Sequence, residues 1–179
     1  MRGVKAVQKY GKRVVFLIVF LLLRVSSYAK MEGIYGTIQL LDSFDSISWR
    51  AGGDHHGPRT AIKLASQPTI SGNAAELVYD FIGSTNTLNY CEYTRQIILP
   101  EQATHLGFWV WGDGSGHSLR VRVLDHYGEW FQYTIKSLIF SGWEQVYLDL
   151  NRPDGSWGGD GRLDWPLMFN SFVIDSKSR

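Results

Sequence analysis

The 179-residue chain predicts an all-β domain, a two-layer antiparallel β-sandwich. Three observations carry that prediction. After residue 29, short segments of period-two hydrophobic alternation dominate, and no long helical periodicity appears. Turn chemistry punctuates them: Ala51-Gly52-Gly53-Asp54, Gln67-Pro68, Ser71-Gly72-Asn73 and Tyr127-Gly128. The 150 residues that follow residue 29 are enough for one domain with a real core.

The predicted strands follow in order. Residues 38–41 and 47–49 flank the acidic Asp42-Ser43-Phe44-Asp45. Residues 61–65 form a short strand. Residues 76–81 alternate cleanly, with Leu77, Tyr79 and Phe81 on one face. Residues 88–98 make a longer strand, ended by Pro100. Residues 106–111 and 119–125 form two strands joined by the glycine-rich Gly112-Asp113-Gly114-Ser115-Gly116-His117. In 130–135, Phe131, Tyr133 and Ile135 share a face; in 143–150, Val146, Leu148 and Leu150 do. Residues 169–174 are the last predicted strand. Residues 151–166 form one long loop rich in Gly, Asp and Trp, a length at which loops are often functional. Nothing punctuates the end of the chain, and 169–174 would gain a neighbour from a further strand. The expectation is a piece of a longer protein whose sandwich lacks its last strand.

Residues 1–29 read as a secretory signal peptide. Arg2, Lys5, Lys9, Lys12 and Arg13 form a basic start, residues 14–23 an apolar run, and Ser27-Tyr28-Ala29 a small-residue cleavage site. The run has ten residues where a membrane span needs about 20. The predicted organisation is thus a leader over 1–29 and a sandwich domain over 30–179, secreted, with the periplasm or cell surface as alternatives and no membrane contact once the leader is removed. Six of the 18 basic side chains lie in 1–29 with no acidic one, so 30–179 carries 12 basic and 17 acidic residues, a net charge of −5. Such a domain repels a phosphate backbone, which argues against nucleic acid as a partner. The single cysteine, Cys91, excludes an internal disulfide and reads as a small apolar strand residue.

Alternation selects the candidate binding residues. If Leu106, Phe108, Val110, Leu119, Val121 and Val123 point inward, then Trp109, Trp111, Arg120 and Arg122 point outward. The same logic sends Gln132, Gln145 and Tyr147 outward, and one face would then collect Trp109, Trp111, Arg120, Arg122, Gln132, Gln145 and Tyr147. Aromatic rings stack on the C–H faces of a pyranose, while Arg and Gln bond its hydroxyls. Carbohydrate is the ligand this set predicts; packing of the same side chains into a second small core is the competing reading.

Other motifs carry less. Asp113-Gly114-Ser115-Gly116-His117 lacks the Lys and the helix of a phosphate loop and reads as a β-hairpin turn. Asp54-His55-His56 places adjacent histidines on opposite strand faces with no third ligand, so zinc is not predicted. Asp42 and Asp45 are oxygen donors suited to a structural calcium ion. No carboxylate pair has a catalytic setting and no nucleophile elbow is present, so an enzyme is not predicted.

The stretch Leu106-Gly107-Phe108-Trp109-Val110-Trp111-Gly112-Asp113-Gly114-Ser115-Gly116-His117, with Leu119-Arg120-Val121-Arg122, resembles jelly-roll modules of galactose-binding-like fold. These occur in secreted bacterial proteins, including some phosphodiester glycosidases and other carbohydrate-active enzymes. Asp125 to Gln132 resembles their D-x-x-G-x-x-F-Q segment, Ser141-Gly142-Trp143 their T-G-W strand, and Leu41-Asp42-Ser43-Phe44-Asp45 their acidic opening. The loop with Trp157-Gly158-Gly159 and Leu163-Asp164-Trp165-Pro166 is similar to one in some members. The resemblance implies a carbohydrate-binding accessory module, linked to further domains, with a final strand beyond Asp175 that helps hold a calcium ion. The alternatives are a structural or protein-interaction sandwich without a small ligand, and a fragment of a larger glycoside-active enzyme.

Overall fold

The computed structural model describes residues 12–22, 30–31, 34–35, 37–54, 59–65, 72–81, 89–101 and 103–176. In chain order its strands are β1 (Lys12–Leu22), β2 (Lys30–Met31), β3 (Ile34–Tyr35), β4 (Thr37–Gln39), β5 (Arg50–Asp54), β6 (Ala61–Leu64) and β7 (Ala75–Tyr79). They continue as β8 (Tyr90–Ile98), β9 (Ala103–Asp113), β10 (Ser118–Leu124), β11 (Trp130–Ser137), β12 (Ser141–Asp149), β13 (Gly155–Trp157) and β14 (Met168–Asp175). The described residues contain no helix, so the all-β expectation holds.

Two antiparallel sheets form the sandwich. The first runs β12-β9-β1-β7-β6, with β4 also paired to β1; the second runs β13-β11-β10-β14-β8-β5. Alternation decides what lies between them. Leu106, Phe108 and Val110 of β9 and Leu119, Val121 and Val123 of β10 are all fully buried or nearly so. Phe108 meets Phe172 of β14 edge-on across the layers at 5.4 Å, and Trp49 stacks on Phe172 at 5.5 Å. These aromatic contacts tie the two inner faces into one core.

The apolar run read as the heart of an export leader forms β1, inside the first sheet between β9 and β7. Residues 1–11 and 23–29 of that leader, with its cleavage site, lie outside the described residues, as do His55 and His56.

Local expectations change in several places. Residues 47–49 are not a strand, because the Asp42 carboxylate folds 42–49 back on itself: Oδ1 accepts the Phe44 N–H at 2.8 Å and Oδ2 the Trp49 indole N–H at 2.7 Å. Residues 51–54 are strand, not turn. They belong to β5 against β8, where a Cβ on Gly53 would lie 2.3 Å from the Tyr90 carbonyl oxygen. The long loop contains β13, paired to β11. Finally, β14 has neighbours on both flanks, β10 and β8, so the open side expected of it does not exist.

The glycine-rich segment after β9 is a corner between sheets, not a hairpin turn. β9 pairs with β12 and β1, whereas β10 pairs with β11 and β14. The corner bonds to the neighbouring β11–β12 crossing: Gly114 N–H to the Phe140 carbonyl at 2.8 Å, Gly116 N–H to the Leu138 carbonyl at 2.9 Å. Gly114 and Gly116 adopt φ of 69° and 75°, which glycine reaches without penalty. Asp113 pins the corner through one oxygen on the Ser115 N–H, 2.9 Å, and the other on the Tyr79 hydroxyl, 2.5 Å. Burial, reinforced by the Asp113 carboxylate, pushes the Tyr79 phenol well above its ordinary range.

Candidate functional site

The corner divides the seven residues expected to share one face. Because β9 and β10 lie in different layers, Trp109 and Trp111 face outward from the first sheet and Arg120 and Arg122 outward from the second. Trp109, Trp111, Gln145 and Tyr147 are brought together, with Trp111 opposite Trp143 and Trp109 opposite Gln145. Arg120, Arg122 and Gln132 are brought together on the other side, with Arg122 between Gln132 and Ser171 in register.

The second group has the richer surroundings. β10, β11, β14 and β8 each send alternate residues outward, so Arg122, Gln132, Ser171 and Glu92 converge. The Arg122 guanidinium donates from Nη1 to Glu92 Oε1 at 3.2 Å and from Nε to Gln132 Oε1 at 3.3 Å. The Ser171 hydroxyl donates to the same Glu92 oxygen at 2.6 Å. Two rings flank the cation: Tyr90, with its centroid 4.9 Å from Cζ, and Trp157, at 5.6 Å. Trp157 reaches this face because β13 brings it opposite Trp130, and the two indoles stack with centroids 6.0 Å apart and planes 5° from parallel. Trp130 is half-buried, while Trp157 keeps 44% of its surface exposed. A large ring open to solvent thus sits beside a guanidinium whose direction is already set.

The loop that delivers Trp157 is tied to the sandwich by a buried carboxylate. Both oxygens of Glu129 accept the Gly161 N–H, at 2.9 and 3.0 Å. Gly159 passes so close that a Cβ there would lie 2.2 Å from Glu129 Oε2. At the base, the Asp154 N–H bonds the Gln132 carbonyl at 2.8 Å, and the Asp154 carboxylate accepts the Thr134 N–H.

Arg120 takes a separate partner, Asp175, with Nε 2.5 Å from Oδ2. Burial raises the Asp175 carboxyl above its ordinary 3.8, and the Arg120 and Arg122 charges offset only part of that. The sign follows directly. The folded state binds this proton at a higher pH than the unfolded chain, so the site opposes folding above the folded pKa. Its penalty disappears as pH falls toward 3.8. Relative to wild type, Asp175→Asn is expected to lose that gain in melting temperature on acidification. A pH series of thermal melts on both proteins checks it.

On the first sheet's outer face, Trp111 and Trp143 meet edge to face at 5.8 Å and both are half-buried; Gln145 is exposed. These rings contact each other, and no cation stacks on them among the described residues.

Asp42 and Asp45, expected to hold calcium, engage different partners. Asp42 is buried and receives the Phe44 and Trp49 N–H groups and the Arg95 guanidinium, a setting that satisfies an anion with hydrogen-bond donors. Asp45 accepts the Ser43 hydroxyl at 2.6 Å and the Asn73 amide at 2.9 Å. Among the described residues, no group of three or more His, Cys, Asp or Glu is placed to hold a metal.

Sequence reasoning passed over Trp157, Tyr90, Glu92 and Ser171. Outward alternation was visible for Trp130 and Glu92, but the adjacency of β8 to β14 and of β13 to β11 is long-range. No protein-family model, curated protein or solved structure matches the chain.

Proposed function

We propose that the outer face of the second sheet binds carbohydrate, in an exported, non-catalytic accessory module of the galactose-binding-like jelly-roll kind. Trp157 supplies the stacking surface, extended inward by Trp130. Arg122, Gln132 and Glu92 supply donors and acceptors for sugar hydroxyls. The observation that carries this reading is the exposed Trp157 ring, stacked on Trp130 and flanking a guanidinium held by Glu92 and Gln132. A sugar ring needs an apolar plane with polar groups at its rim, and the cost of ordering those groups has been met before the ligand arrives.

One observation favours a second reading, a packing or protein-interaction surface. Ser171 and Val173, outward in the alternation of β14, are both at 0% exposure beneath the polar layer. Arg122 and its partners therefore also serve as a lid on the sheet.

A glycan array probed with the full chain distinguishes the two. Carbohydrate binding predicts a restricted set of positive glycans, lost in Arg122→Ala and retained in Trp109→Ala. No positive glycan, or binding unchanged in Arg122→Ala, sinks the proposal for this face. Loss in Trp109→Ala alone would move the site to the first sheet.

A further inference from the structure

The first sheet holds an interior strand drawn from the segment that reads as an export leader. β1 pairs antiparallel with β9, from Val15 opposite Trp111 to Leu22 opposite Ala103. It also pairs antiparallel with β7, from Lys12 opposite Tyr79 to Phe16 opposite Ala75. β7 and β9 therefore run parallel on either side of β1, about 10 Å apart where both flank it at Val15 and Phe16; toward Leu22 the second edge of β1 is taken by β4, from Phe20 opposite Gln39 to Leu22 opposite Thr37. At that separation they cannot bond each other. Only a strand antiparallel to both satisfies the N–H and C=O groups that face the lane. With β1 in place, the core beside it is closed: Ala75, Leu77, Tyr79, Leu106, Phe108 and Val110 are each at most 1% exposed. The register sets Phe16, Ile18 and Phe20 level with Val110, Phe108 and Leu106.

We propose that the lane between β9 on one side and β7 and β4 on the other is a strand-acceptor site and that residues 12–22 are its donor strand. Pairing along two edges holds the donor; the covalent link through 23–29 is not required. The chemistry on both sides fits. The lane needs an extended, apolar segment with two free edges, and 14–23 is a continuous apolar run bounded by Lys12-Arg13 and Arg24. The same run is what gives 1–29 its leader character. The two uses exclude each other in time, because a segment held in a membrane channel cannot pair with β7 and β9. A chain that loses residues 1–29 is left with two inner edges unpaired and a lane that accepts a strand of the same chemistry.

The test uses the full chain with a protease site placed within 23–29. After cutting, the N-terminal fragment is expected to co-elute with the remainder on gel filtration. The β7 and β9 amides should stay protected from hydrogen exchange, and a labelled peptide of residues 9–24 in excess should replace the fragment. A scrambled peptide of the same composition should not. If the fragment departs and protection is lost, restoration by the peptide supports the proposal and failure to restore it overturns it. Departure of the fragment with protection and melting temperature unchanged also overturns it. In the uncut chain, Phe16→Pro, at a position paired with both Ala75 of β7 and Val110 of β9, removes a ladder N–H from an interior strand and should cut protection in β7 and β9 at least several-fold; unchanged protection counts against the assignment.

Discussion

Asp42→Ala is expected to lower the unfolding free energy by about 3–5 kcal/mol, the range for breaking a buried, hydrogen-bonded charge pair. Asp42 is 6% exposed and its carboxylate holds three partners at once. Its Oδ1 holds Phe44, whose φ of 53° is uncommon for a residue with a side chain. Its Oδ2 meets the Trp49 indole N–H and the Arg95 guanidinium on β8. Removing the carboxylate strands a buried indole N–H and a backbone N–H, and each costs about 1–3 kcal/mol when left unpaired. Phe44 and Trp49 are core residues with rings 6.0 Å apart, so the damage reaches the Phe172 cluster. Arg95 retains about a third of its exposure, and water compensates part of its loss. Asp42→Asn keeps the shape and one acceptor and should cost less than half as much. Denaturant unfolding of both variants checks the prediction, and equal losses would show that charge rather than acceptor geometry dominates.

Trp157→Ala is expected to weaken glycan binding by about ten- to a hundred-fold, from the roughly 1.5–3 kcal/mol that covering a large apolar side chain contributes. Stability should fall little, because 44% of Trp157 is already in water and its main contact is the stack on Trp130. Glu129→Ala makes the complementary case. It leaves every ligand-facing side chain in place but removes the clasp on the Gly161 N–H. The loop then holds β13 less firmly, and binding should weaken by several-fold with a stability loss of about 1.5–3 kcal/mol. Titration calorimetry and thermal melts separate the two. A Trp157→Ala protein that binds as wild type does would remove the stacking platform from the proposed site.

The strands were legible where one face is buried and the other is not. β10 and β11 alternate between core and outward positions, and the predicted segments 119–125 and 130–135 fall within a few residues of the observed strands. Legibility failed where long-range contacts override the local pattern. Residues 50–54 look like a turn because of two glycines, yet one of them, Gly53, permits β5 to approach β8 closely. Gly155-Ser156-Trp157 carries no alternation at all and becomes a strand by pairing with β11.

The sequence by itself determined the all-β class and most of the strands, including the outward positions of Trp109, Trp111, Arg120 and Arg122. A period of two is a local property of the chain and needs no knowledge of neighbours. Only the tertiary structure decided which outward residues meet. The corner at 113–117 sends β9 and β10 into different sheets, so the tryptophans and arginines read as one face lie on opposite surfaces of the sandwich. The same long-range pairing put Trp157, Tyr90 and Glu92 around Arg122, and it placed β1 between β7 and β9. Pairing partners are chosen by burial and hydrogen bonding across the whole core, and the alternation of any single strand does not encode that choice.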